Sequence, residues 1–411
     1  MKTCLAAREA PESNVDEHMH LNFPRAYRLT PVQREADDYI AQVRAGAAVN
    51  QNVLLPYSFG LGYFVVPTSG ADVSIAAADF RVEKLDILAS LWVRLRLALL
   101  FKKKKYLKFD EFSVFCYGPK PERKRFTTFN QHMFNIGVSL DGDLIAAHPE
   151  LLDGWATDEA RGSAAHLPAG SHSAAIVVHI YYEETWADIA GVLKRLAIPF
   201  DLIVTTVRGR EDLIETVRGD FPHADIEVME NRGRDVRPFL VLLEAGRLDR
   251  YRYVCKVHGK KSSDGGRSSY MGSLWRRRLL FDLLAAPGLA GSIVDMFERD
   301  PSIGMVGPRA LRLPSETYSE ELSWSVNREM VLDLAEKMGT PPDRFRLDFF
   351  GGTMFWARPE ALAPLRRLKL ADSFAEEKGL LDGGLEHATE RLFGAAVVAA
   401  GYKLADSEGG G

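Results

Sequence analysis

The chain has little cysteine, no dominant charge of one sign and no long uninterrupted apolar run. Its three cysteines, Cys4, Cys116 and Cys255, are odd in number and far apart among 411 residues. They have neither zinc-ligand spacing nor a disulfide framework, which fits a reducing cytoplasm. The formal net charge is −4, so the whole-chain field does not recruit nucleic acid, and none is expected as a partner. The opening stretch MKTCLAAREAPESNVDEH lacks the apolar core of a signal peptide. No internal repeat is visible. What is present is ordinary: 46% hydrophobic and 26% charged residues, enough to exclude a disordered chain, a collagen or a disulfide-stapled mini-protein. The length suggests two or three domains.

One segment invites a membrane reading. Leu85 to Phe101, LDILASLWVRLRLALLF, is interrupted by Arg94 and Arg96 and falls short of the ~20 apolar residues of a span. Arg94 to Arg125 carries eleven Lys/Arg (94, 96, 102–105, 108, 120, 123–125) against three acids (110, 111, 122), a local excess of +8. A basic amphipathic segment over 85–125 can lie on anionic lipid. The alternative is a helix that packs its Leu/Trp face on the core and solvates its lysines.

Residues 1–170 form an N-terminal region of unassigned role. Pro24 to Val43 reads as an extended lead-in followed by a helix, and Val53 to Phe80 as short strands. WATDEARGSAAHLPAGSHS (155–173) reads as a linker, and the domain boundary is drawn there. Beyond it, AAIVVHIYY (174–182), PFDLIVTTV (199–207), ADIEVMEN (224–231) and YRYVCKVHG (251–259) alternate with short helical patterns. Strands apolar on both faces that alternate with helices predict an α/β fold, a mostly parallel sheet flanked by helices. IGMVGP and FFGGTMFWARP continue the strands, GGLEHATERLFGAAVVAAGY closes the domain at 405, and 406–411 reads as a disordered tail.

Ligands of open α/β sheets sit outside the carboxyl ends of the strands, and polar clusters fall there. In the first, Arg232, Arg234 and Arg237 can make bidentate contacts to phosphate or carboxylate. Gly233 admits a close backbone approach, and Asn231 and Asp235 can accept hydrogen bonds from a base or a sugar hydroxyl. The second offers His258, Lys260 and Lys261, cations able to neutralise a departing diphosphate. The third offers Asp382 as a general base for an acceptor hydroxyl, with Glu376, Glu377 and Glu386 as competitors. Between them, Gly351, Gly352 and Thr353 make a tight turn, and Phe355 and Trp356 either stack on a sugar or belong to the core. His387 joins Gly352, Thr353 and Trp356 as candidate acceptor- or sugar-binding residues.

Residues from about 174 to 405 resemble the rhamnan synthesis F family of bacterial polysaccharide assembly. VVHIYY, NRGRDVRPFL, YVCKVHGKKS, LWRRRLL, IGMVGP, GGTMFWARPEAL and LDGGLEHATERLFG carry the likeness, in order. The same order resembles GT-A-type glycosyltransferases, through Asn231-Arg232-Gly233, Gly351-Gly352-Thr353, and Asp382 with Arg391 and Gly401-Tyr402-Lys403. It departs where that pattern has a metal-binding Asp-x-Asp: His258-Gly259-Lys260 stands instead. The resemblance implies a GT-A-like fold and inverting transfer of a sugar, rhamnose from dTDP-rhamnose, to a glycan or lipid-linked glycan; the departure from Asp-x-Asp points to transfer without a metal, with a divalent metal as the alternative. It places the protein in the cytoplasm, peripheral at the inner face of the membrane, with no cofactor. The missing Asp-x-Asp leaves a second reading: a non-catalytic glycan or nucleotide-sugar binding module of a synthesis complex.

Overall fold

The computed structural model describes residues 19–31, 40–45, 49–56, 62–76, 80–101, 107–108, 112–117, 148, 150–155, 173–259, 269–315, 318–377 and 382–407. These fall into two compact units, 19–117 and 148–407. Helix Glu150–Asp153 belongs to the second unit, although the sequence pattern draws the division later, near 170.

The first unit is built of antiparallel strands. β1 (Met19–Leu21), β2 (Tyr27–Pro31), β3 (Ile40–Ala45), β4 (Val49–Pro56), β5 (Gly62–Pro67), β6 (Val73–Ala76), β7 (Phe80–Lys84), β8 (Leu107–Lys108) and β9 (Phe112–Tyr117) form two sheets. Their orders are β1-β6-β3-β4 and β7-β2-β5-β9-β8. The helix expected before Val43 is not found among the described residues: Ile40–Ala45 is a strand paired with both β4 and β6. Pairing on both sides supplies the backbone partners that a local helix pattern would otherwise have provided. Helix Ile87–Phe101 packs Val93 against Phe64, Val66 and Phe115. Arg94 is turned inward, donating to the carbonyls of Pro24 (2.9 Å) and Pro67 (2.8 Å).

The second unit holds the expected α/β body. β10 (Ala174–Ile180), β11 (Asp201–Val207), β12 (Asp225–Met229), β13 (Tyr253–His258), β14 (Ile303–Pro308), β15 (Arg312–Leu313), β16 (Phe349–Phe350), β17 (Phe355–Ala357) and β18 (Lys403–Ser407) follow in chain order. Seven of them form one sheet, in the order β12-β11-β10-β13-β17-β14-β18. All neighbouring pairs are parallel except those of β17, which is antiparallel to both β13 and β14. Helices Trp186–Leu193, Glu211–Asp220 and Val236–Glu244 make the crossovers between the first four strands.

Aromatic packing joins the helices to the sheet. Phe239 of helix Val236–Glu244, Phe355 of β17 and Phe393 of helix Leu385–Ala399 form a three-ring cluster with centroids 4.9–6.0 Å apart. Each large apolar side chain so buried contributes ~1.5–3 kcal/mol. Trp356 is fully buried, and its Nε1 donates to the Leu283 carbonyl at 3.0 Å. That corrects the expectation of a sugar-stacking Trp356: β17 lies inside the sheet, so no ring on it is open to a ligand. FFGGTMFWARP is not one strand but two, β16 and β17, split by a turn with Gly352 at φ +92° and Thr353 at φ +53°. The expected tail is also shorter. Asp406 and Ser407 are in β18, paired with β14, and Arg312 holds Asp406 at 2.9 Å. Residues 408–411 lie outside the described residues.

Candidate functional site

From β10 the chain builds outward to β11 and β12, then returns to place β13 on the other side of β10. The strand order therefore reverses between β10 and β13, the position at which open α/β sheets leave a ligand crevice. His179 and His258 are register partners at the carboxyl ends of these two strands. A cavity of about 310 Å³ opens there, at the lower end of the ~300–1,000 Å³ of small-ligand sites. Its walls come from four places. The end of β10 gives His179, Tyr181 and Tyr182, and the turn after β12 gives Asn231, Arg234 and Asp235. The end of β13 gives His258 and Gly259, and the last helix and the segment before it give Glu377, Glu386, His387 and Glu390.

Beneath this cavity lies a charged network. Lys256 Nζ, on the buried inner part of β13, donates to Asp235 Oδ2 (2.6 Å), to the Thr353 carbonyl (2.8 Å) and to Thr353 Oγ1 (3.2 Å). All three ammonium protons are thereby used. The Thr353 hydroxyl donates to the same Asp235 oxygen. His258 Nε2 lies 3.7 Å from that oxygen and donates to the Gly352 carbonyl at 2.9 Å. Burial by itself would raise the Asp235 pKa. His258, Lys256 and the hydrogen bonds from Lys256 and Thr353 outweigh it and hold the carboxyl far below the usual carboxylate range. From the opposite side, Glu390 Oε1 accepts from the Gly352 N–H at 2.7 Å. Thr353 thus occupies a left-handed conformation, costly for a residue with a Cβ, under restraint from several elements.

The arginine-rich turn is also pinned. Gly233 has φ +60°, and a Cβ there would stand 2.4 Å from the Phe374 ring. Its glycine is required by a packed phenylalanine, where the sequence suggested room for a ligand. Arg232 faces Glu230 (3.3 Å) and Glu376 (3.7 Å) and is not on the cavity wall, and Arg237 donates to the Ala371 carbonyl at 2.8 Å. Arg234 reaches inward, with Nε 3.3 Å from Glu377 and Nη1 3.2 Å from His387 Nε2. Asn231 is exposed at the rim.

Of the residues singled out from sequence, Asn231, Arg234, Asp235, His258 and His387 are brought together on the cavity wall, with Gly352 and Thr353 hydrogen-bonded behind it. Asp382 is placed differently. Its carboxylate accepts from Ser325 Oγ (2.5 Å), Asn327 Nδ2 (2.8 Å) and the Gly383 N–H (2.8 Å). Partial burial would raise its pKa, but these bonds lower it. It stands 3.9 Å from His387 Nδ1 and is not among the residues that line the cavity. Lys260 and Lys261 lie outside the described residues.

Sequence reasoning assigned no role to His179, Tyr181, Tyr182, Lys256 or Glu390, and it held Glu377 and Glu386 only as competitors of Asp382. The available signal was a histidine and two tyrosines closing an apolar strand, and a lysine inside one. Burial lowers the His179 pKa to about 4, with Lys256 adding to the effect and Asp235 and a hydrogen bond with Thr205 opposing it. Among the described residues, no group of three or more His, Cys, Asp or Glu is arranged to hold a metal ion.

Comparison with known proteins adds an independent observation. The family model described as Rhamnan synthesis protein F matches residues 158–402. Two relatives, each described as "Uncharacterized protein WxcX", come from Xanthomonas campestris pv. campestris, strain B100 and strain ATCC 33913. Each is 32% identical over 241 residues, covering 58% of this chain and 33% of the relative. The chain thus spans about a third of the length of the curated relatives it matches.

Proposed function

The chain belongs to the rhamnan synthesis protein F family, and from that premise we propose that it is a glycosyltransferase of cell-surface polysaccharide synthesis. The donor is a nucleotide sugar, dTDP-rhamnose by the family's sugar, and the acceptor is a growing glycan or lipid-linked glycan. The observation that carries this reading is the cavity at the β10/β13 reversal, where cationic and carboxylate side chains face one another.

Inverting displacement requires two things of such a site. The acceptor hydroxyl loses its proton to a base as its oxygen bonds to the anomeric carbon. The bond from that carbon to the diphosphate breaks, and the departing oxygen keeps the electron pair, which needs positive charge nearby. Arg234 and His258 of the wall supply the charge, together with Lys260 and Lys261, which follow Gly259 in the chain. The carboxylates on the wall and outside the Lys256 network are Glu377, Glu386 and Glu390. Glu377 faces the permanently charged Arg234, Glu386 lies 3.4 Å from His387 Nδ1, and Glu390 binds the Gly352 N–H through Oε1; of the three, Glu386 and Glu390 are taken as the proton acceptors. Asp382 acts through His387 as a positioning residue. Tyr181 and Tyr182 offer rings on which a base or sugar can stack.

The test is turnover of a nucleotide-sugar panel, with Mn²⁺ and with excess chelator, alongside calorimetry with dTDP. Nucleoside diphosphate release that survives the chelator is expected, with Glu386→Gln or Glu390→Gln slowing it ~10²–10⁴-fold while dTDP still binds. Loss of activity in Asp382→Asn as deep as in both glutamate variants would return the base to Asp382. Glycan binding without nucleotide binding or turnover would establish the non-catalytic module instead.

A further inference from the structure

A second surface, in the first unit, is independent of the cavity. Helix Ile87–Phe101 has two apolar faces. One holds Val93, with Ala89 and Leu97, packed on the sheet. The other presents Ile87, Leu88, Leu91, Trp92, Leu95 and Leu99, which are 54–79% exposed. These positions recur at helical spacing on one side, a contiguous apolar stripe of the kind that marks an interaction surface. At 1.5 Å per residue the helix is ~22 Å long, too short to cross a ~30 Å hydrocarbon layer. Among the described residues, no single helix is long and apolar enough to span a membrane.

Charge selects the occupant. The helix contains no Asp or Glu, and it runs directly into Lys102–Lys105 within the +8 stretch from Arg94 to Arg125. Arg94 is withdrawn onto the Pro24 and Pro67 carbonyls and does not interrupt the stripe. Arg96 lies over the Trp92 ring, 5.1 Å from its centroid, a cation beside an amphipathic ring that suits the headgroup level. We infer that the outward face of helix Ile87–Phe101 lies in the plane of an anionic lipid bilayer, its leucines and Trp92 in the acyl boundary, and that the lysine-rich sequence after it supplies the preference for anionic lipid. That geometry would hold the chain against the surface where a lipid-linked substrate is presented.

The experiment is co-sedimentation of the full chain with vesicles of 30% phosphatidylglycerol in phosphatidylcholine, and of phosphatidylcholine alone. Binding ~10-fold or more stronger to the anionic vesicles is expected, weakening ~10-fold between 50 and 500 mM NaCl. Leu88→Glu with Leu95→Glu should abolish it, and alanine at all of 102–105 should weaken it ~10-fold or more. Both helix positions are exposed, so circular dichroism melting of the pair should match the parent. If that pair does not fold, brominated-lipid quenching of tryptophan fluorescence, compared between the parent chain and Trp92→Phe, decides. Absence of vesicle binding, indifference to the glutamates, or equal quenching in parent and Trp92→Phe would overturn the inference. So would a parent dimer that the glutamates convert to a monomer without any lipid binding. Because nucleotide calorimetry reads only the cavity, failure here leaves the sugar-transfer reading intact.

Discussion

Asp235 and Lys256 meet at 2.6 Å beneath the strand-end cavity, one from the turn before a helix and the other from the middle of β13. Their side chains are 14% and 2% exposed. The contact joins the arginine-rich turn to the glycine turn around Thr353, since the same ammonium holds Thr353. A buried pair is more informative when broken than when counted.

Lys256→Met leaves the Asp235 carboxylate buried without its main partner. We expect a loss of ~3–5 kcal/mol in urea unfolding. Adding Asp235→Asn should restore part of it, so the double variant is less destabilised than the sum of the singles. Additive effects would mean that the two side chains do not depend on each other.

His179 predicts a pH dependence. An unfolded histidine takes up a proton near pH 6.5, whereas buried His179 does so only at about 4. Between these values the unfolded chain binds more protons, so stability falls as pH drops from 6.5 toward 4 and is flat above that window. The full effect is on the order of 3 kcal/mol at ~1.4 kcal/mol per pH unit. Asp235, whose pKa is depressed, adds a loss of the same sign, but only at pH below ~4. Unfolding at pH 4.5, 5.5 and 7 should show a slope in the parent that is absent in His179→Asn. An equal slope in both would place the titration elsewhere.

Gly233→Ala combines a left-handed φ with a Cβ 2.4 Å from the Phe374 ring. A cost of ~1–3 kcal/mol is expected. Phe374→Ala removes the closest clash but neither the backbone strain nor the 2.8 Å approach to Arg237 Cβ, so in its background the alanine should cost less, though still something. An unchanged cost would show that Phe374 is not what makes Gly233 necessary.

Trp356 and Asn231 should behave in opposite ways. Trp356→Ala opens a core cavity and should cost ~3–5 kcal/mol, with no separate effect on dTDP affinity in the folded fraction. Asn231→Ala, at the exposed rim, should leave stability within ~0.5 kcal/mol and weaken dTDP binding. Thermal unfolding and calorimetry on both variants read the two effects separately. Loss of nucleotide affinity in folded Trp356→Ala, with none in Asn231→Ala, would contradict this placement.

Much of the second unit was legible from local pattern. Continuous apolar runs at 174–182, 199–207 and 251–259, separated by amphipathic helices, already require a sheet covered on both faces, because only that arrangement buries both sides of such strands. Asn231, Arg234, Asp235, His258 and His387 were recognisable as strand-end or helix-start polar groups, since chemistry collects where regular hydrogen bonding stops. Other features were not legible. An alternation such as Phe355-Trp356 looks the same whether a face meets solvent, sugar or core. It became core because β17 is inserted between β13 and β14. The partners of an acid before a helix were not legible either: Ser325 and Asn327 donate to the oxygens of Asp382.

By itself, then, the order of amino acids determined the elements that need only near neighbours: the alternating strands and helices from 174 to 259, the amphipathic basic segment and the family likeness. Only the tertiary structure decided which polar side chains meet. Asp235, Lys256 and Thr353 are separated by as many as 118 residues. What unites them is sheet order and burial, and these depend on the whole chain and not on any window of it.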